Sequence, residues 1–187
     1  MKRMLVLGLI MIFSLLSACS NNEATAIVTK EDIQENVQNF YNELSAIEQE
    51  GKSSLEDFNE LIASYSAGNA TDKQLKKAID GFQNTAAELS KRAEDVKISS
   101  GLPKDIKALL EDSKIAFQSA YSLKEQASKS ADSADVTADE FKELNQNADL
   151  AMLYGISKLN EARAASGLID SESTVDSTSM ESTVEPK

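Results

Sequence analysis

Histidine and tryptophan are missing from this chain, cysteine occurs once and proline twice. Without histidine there is no Ser-His-Asp relay to activate a nucleophile. With no histidine and one cysteine, a zinc site lacks its usual ligands. A single cysteine closes no intrachain disulfide, so the body relies on packing. Glycine is sparse at seven residues, and no Gly-rich loop follows a strand-like run, so no phosphate cradle is expected. Basic residues number 19 against 31 acidic ones, a net charge of −12. Such a surface repels phosphates, which argues against binding DNA or RNA. Long apolar runs are missing too. The run from Met4 to Leu16, broken only by Gly8 and Ser14, is about 13 residues, against the roughly 20 that cross a hydrocarbon core.

That run has another use. Lys2 and Arg3 precede it and small residues close it, the pattern of an export signal. An ordinary signal ends without needing a cysteine, yet the chain places Cys19 just there, in Leu16-Ser17-Ala18-Cys19. This segment resembles a bacterial lipobox. The resemblance implies cleavage after Ala18, diacylglycerol on the Cys19 thiol, and a mature chain held at the extracytoplasmic face of the cell membrane. Two acyl chains suffice for stable anchoring, at about 0.8 kcal/mol per buried CH2. The domain organisation expected is a signal peptide over 1–18, a tether over 19–29, a helical body over 30–168 and a disordered tail over 169–187. Losing Lys2 and Arg3 from 19 basic residues leaves 17 against 31 acidic, a net charge of −14. The body should therefore stand off anionic headgroups and leave anchoring to the lipid.

The body reads as four amphipathic helices. Thr29-Lys30-Glu31-Asp32 resembles a capping box and starts the first. Ile33, Val37, Phe40, Tyr41, Leu44 and Ile47 follow at helical spacing, then Leu55, Phe58, Ile62 and Tyr65 beyond Gly51. A mid-helix glycine costs about 1 kcal/mol against alanine. Because both halves share one stripe, the pattern predicts a single helix over 30–66, about 55 Å long. The alternative is a break at Gly51, with Ser53 or Ser54 capping a second half. Ala67-Gly68-Asn69-Ala70 makes a turn, and Thr71 with Gln74 caps a second helix over 72–98. Its seam, Leu75, Ile79, Phe82, Ala86, Leu89, Ala93 and Val96, is narrow and coiled-coil-like. Gly101 and Pro103 separate it from a third helix over 103–131, whose polar end from Lys124 is expected to fray. Thr137 and Glu140 cap a fourth over 138–166. Short turns imply an antiparallel up-down four-helix bundle, all-α. Ala86, Ala93, Ser113, Ala120, Ala127, Ala148 and Gly155 fall at core positions, where small residues allow close helix approach. The tail, Ser- and Thr-rich with Glu-Ser-Thr-Val at 172–175 and again at 181–184, has too little apolar surface to order itself.

Chemistry has few candidates. The acidic pairs Glu31/Asp32, Glu111/Asp112 and Asp139/Glu140 fall at helix starts or on solvent faces, where capping and solvation explain them. Asp132, Asp135, Asp139 and Glu140 crowd one loop, but without the alternation and glycine of an EF-hand. No catalytic residue, metal or cofactor is expected, and the chain does not read as an enzyme. The one departure from plain amphipathicity is Leu150 to Ile156, apolar without interruption. There Leu150, Leu153 and Tyr154 project away from the face set by Phe141, Met152 and Leu159. Either the fourth helix is gripped on several sides, or these three residues form an exposed patch where a partner docks.

In order and pattern the body resembles uncharacterised helical-bundle lipoproteins of Gram-positive bacteria, which implies no activity. The expectation is a lipid-anchored, non-catalytic protein-interaction module. The alternative is a binder of an apolar small molecule or lipid between helices, which requires an internal cavity.

Overall fold

The computed structural model describes residues 28–131 and 138–170, excepting the side chains of residues 131, 138 and 141. Cys19 with its signal, the tether up to residue 27, Asp132, Asp135 and Thr137 of the last loop, and the Ser/Thr-rich tail from residue 171 lie outside these residues. So does the side chain of Phe141.

Among the described residues, four helices make an all-α bundle: α1 Lys30–Ser66, α2 Asp72–Asp95, α3 Lys104–Ala131 and α4 Ala138–Ala165. The first two begin in capping boxes. The Thr29 hydroxyl accepts from the Asp32 amide at 3.1 Å while the Thr29 amide donates to the Asp32 carboxylate at 2.9 Å. Thr71 and Gln74 repeat the exchange at α2. Orphan amides of each first turn are satisfied without water. Two ends are closed by glycine in the left-handed region, Gly68 after α1 and Gly167 after α4, both at φ 75°. In each, the amide beyond the glycine returns to a carbonyl five residues back, Asn69 to Ser64 and Leu168 to Arg163. This is the Schellman closure that glycine makes free of strain.

α1 is unbroken through Gly51, because the glycine makes room for a ring. A Cβ there would lie 2.7 Å from Cε1 and 2.9 Å from Cζ of Tyr121. The Tyr121 hydroxyl donates to the Ile47 carbonyl of α1 at 3.0 Å. Burial, then the carboxylates of Glu48 and Glu50, push that hydroxyl far above its ordinary pKa, so it remains a donor.

The tightest packing joins α3 to α4. A Cβ on Gly155 would stand 2.7 Å from Cδ2 of Phe117, and the Ser113 hydroxyl donates to the Gly155 carbonyl at 2.9 Å. All seven small residues expected at core positions are buried. They bring the helices close enough for Phe117, Leu110, Leu89 and Leu44 to fill the centre. Further along, Lys124 meets Asp149 at 2.8 Å. Between α2 and α3, Ser90 bonds the Gln118 carbonyl and Lys114 the Val96 carbonyl. α1 lies mainly along α2, where Phe58 stacks on Phe82 with centroids 5.1 Å apart. It touches α4 near its start: Gln34 donates to the Ser166 and Gly167 carbonyls, both at 3.1 Å, and Arg163 covers the Tyr41 ring at 4.0 Å.

Three details differ from the sequence reading. α2 ends at Asp95 rather than 98, because Val96 turns extended to bury its side chain. Pro103 stands just before the first residue of α3, its carbonyl accepting from the Lys107 amide at 2.9 Å. The end of α3 does not fray in this structure. Ala127 and Ser128 are buried, and Lys124 is held by Asp149.

These contacts fix signs for substitution. Gly81 lies in α2 with nothing within 4 Å of an added Cβ, so Gly81→Ala should raise stability by about 0.5–1 kcal/mol in urea unfolding. Gly51→Ala should lower it by about 1–3 kcal/mol because the Tyr121 ring must move. The loss should largely vanish in a Tyr121→Ala background, where the two changes couple. The capping box adds a pH dependence. Bonds from Thr29 hold the Asp32 carboxyl below the usual carboxylate range. Its contribution is therefore complete above the ordinary carboxylate pKa and is lost as acid protonates it. Protection of the first-turn amides of α1, relative to their intrinsic exchange, should fall below about pH 4, and Asp32→Asn should remove that dependence.

Candidate functional site

α4 presents two faces of different character. Towards α3 and α1 it buries Ala148, Gly155, Leu159 and Ala162, with Met152 and Ile156 packed at the margin. The opposite face carries Leu150 at 64 % exposure, Leu153 at 63 % and Tyr154 at 50 %. Steps of three and four residues place the three together on one side of the helix. The unbroken apolar run of residues 150–156 is thus divided between core and solvent, and α4 is not gripped on the Leu150 side.

One turn and two turns out, the face becomes polar. Glu143 and Glu161 stand seven residues before Leu150 and after Tyr154, a spacing that keeps them in line with the patch. The Lys158 ammonium lies 5.5 Å from the Tyr154 ring centroid and bonds Glu161 at 2.8 Å. The Glu161 carboxylate raises the Lys158 pKa, and Asp112 of α3 adds to the shift. Asp112 therefore lies near this end of the patch. Ile115, one turn further along α3, is 57 % exposed. The sequence reading did not anticipate that exposure.

The acidic pairs Glu31/Asp32, Glu111/Asp112 and Asp139/Glu140 are all exposed, and Asp32 works as a cap. Among the described residues, no group of three His, Cys, Asp or Glu is placed to hold a metal ion. Nor, among them, is any helix long and apolar enough to cross a membrane.

A surface without a packing role should tolerate change. Leu150→Ser should shift unfolding free energy by no more than about 0.5 kcal/mol. Leu159→Ala, at a residue 3 % exposed on the other face of α4, should cost about 2–5 kcal/mol. Paired denaturation curves read both.

No protein-family model, no curated protein and no solved structure matches the chain.

Proposed function

We propose that the chain is a lipid-anchored, non-catalytic helical module that docks a protein partner at the outer face of the cytoplasmic membrane. The observation that carries the reading is the exposure of Leu150, Leu153 and Tyr154 in the middle of a helix whose other face is closely packed. Apolar side chains this large gain most by being covered, at about 25 cal/mol per Å². Tyrosine and leucine beside a polar rim suit a partner interface. The lipobox-like segment ending at Cys19 supplies the anchor in this reading, and the −14 charge of the mature chain keeps the body clear of anionic lipid. Helices running alternately up and down belong to the same proposal. The pairings Ser113 with Gly155 and Lys124 with Asp149 support that order, as do Glu50 with Arg92 and Phe58 with Phe82.

The test is in-cell cross-linking and pull-down of the wild type beside Cys19→Ala and a Leu150→Ala/Tyr154→Ala double variant. One protein recovered with wild type and lost with the double variant is the expected result. Cys19→Ala should leave the membrane fraction and lose the same partner. No specific protein from any form, or equal recovery from the double variant, would overturn the docking assignment.

A further inference from the structure

A cleft partly open to solvent lies among the helices, and all four contribute to its wall. It measures about 180 Å³, and its wall is formed largely by Leu55, Phe82, Ala86, Leu89, Tyr121 and Met152. Its origin lies in α1. The buried residues of that helix, Val37, Phe40, Leu44 and Ile47, all precede Gly51. Beyond Gly51, Leu55, Phe58 and Leu61 are only half-buried, since this stretch of α1 leans on α2. Gly51 and Ala86 contribute little side chain to the wall, and the gap between the helix pairs stays open.

The chemistry of the lining selects a ligand class. A cavity of about 150 Å³ in a folded protein holds one benzene, so this cleft has room for a single ring with a small substituent beneath its charged rim. Two lysines stand at its rim, but each has a carboxylate: Lys52 pairs with Glu48 and Lys124 with Asp149, both at 2.8 Å. The rim is thus balanced, and a carboxylate on the ligand would have to displace an existing partner. Ser54 and Thr85 bring hydroxyls to the wall, enough to meet one neutral polar atom. The Tyr121 hydroxyl is already committed to the Ile47 carbonyl.

We propose that this chamber is a binding site for a neutral, apolar, single-ring molecule. The site stands apart from the α4 patch, and the two assignments fail separately.

The experiment is a titration of the full chain, labelled at its methionine methyls, with toluene, and with benzoate as the charged counterpart. Toluene should shift the Met152 methyl resonance saturably and show nuclear Overhauser contacts to it, while benzoate should bind at least about tenfold more weakly because its charge finds no unpaired cation. Ala86→Leu fills the chamber and should weaken toluene by a similar factor of about ten or more. Leu150→Ala/Tyr154→Ala should leave it unchanged. A Met152 methyl unmoved up to the solubility limit of toluene would overturn the proposal. So would benzoate binding as tightly as toluene, or toluene binding undiminished in folded Ala86→Leu. If Ala86→Leu fails to fold, the Met152 contacts in the wild type decide alone.

Discussion

Tyr121 reaches from α3 to the Ile47 carbonyl of α1, and the middle of the bundle is arranged around its ring. The contact needs Gly51, because any side chain there would occupy the space of the phenol. It also explains why α1 can stay helical over 37 residues with a glycine at its centre. The conformational cost of glycine is offset by a buried hydrogen bond worth about 1 kcal/mol and by the packing of an aromatic ring. Upstream of this point α1 belongs to the core. Downstream it is a half-buried strut along α2, and the apolar chamber occupies the difference.

A second close approach sets the other half of the molecule. Gly155 faces Phe117, and Ser113 bonds the backbone beside it. Buried serine is tolerated in this seam because its hydroxyl finds a carbonyl. Drawing α3 against α4 this closely uses up one face of α4. Among the described residues no helix covers the leucines and tyrosine of its far face. The exposed patch follows from the geometry of the core, in a bundle whose long first helix is engaged elsewhere.

Much of the architecture was legible in the residue pattern. Helical periodicity located all four helices, and the capping boxes at Thr29 and Thr71 set the starts of α1 and α2. Glycine at 68 and 167 marked two ends, and the small residues of the core stood out against the leucines. The three residues of the α4 patch were visible too, because an apolar run seven residues long cannot fit on one face of a helix. What the pattern could not show was the identity of long-range partners. Gly51 in an unbroken stripe signals that something large approaches, but nothing local names Tyr121 as the residue that does. Ile115 was equally silent, since a single apolar residue carries no sign of which face it occupies. The chamber arises where α1 beyond Gly51 is only half-buried, a property of tertiary geometry without a local signature. Val96 was legible as core but not as the residue that ends α2, because its burial outweighs one more turn of helix.

The clamp at the other end of α1 carries its own implication. Gln34 holds the carbonyls of Ser166 and Gly167, so the first turns of α1 and the residues just past α4 meet at one pole. The segments on either side of the bundle leave from neighbouring points, while the turn at 67–70 sits at the far end of α1. In topological terms the bundle is nearly a closed ring. A short link from residue 168 to residue 30 would complete it, and opening the exposed turn at Gly68 would give the chain new ends while leaving each helix intact.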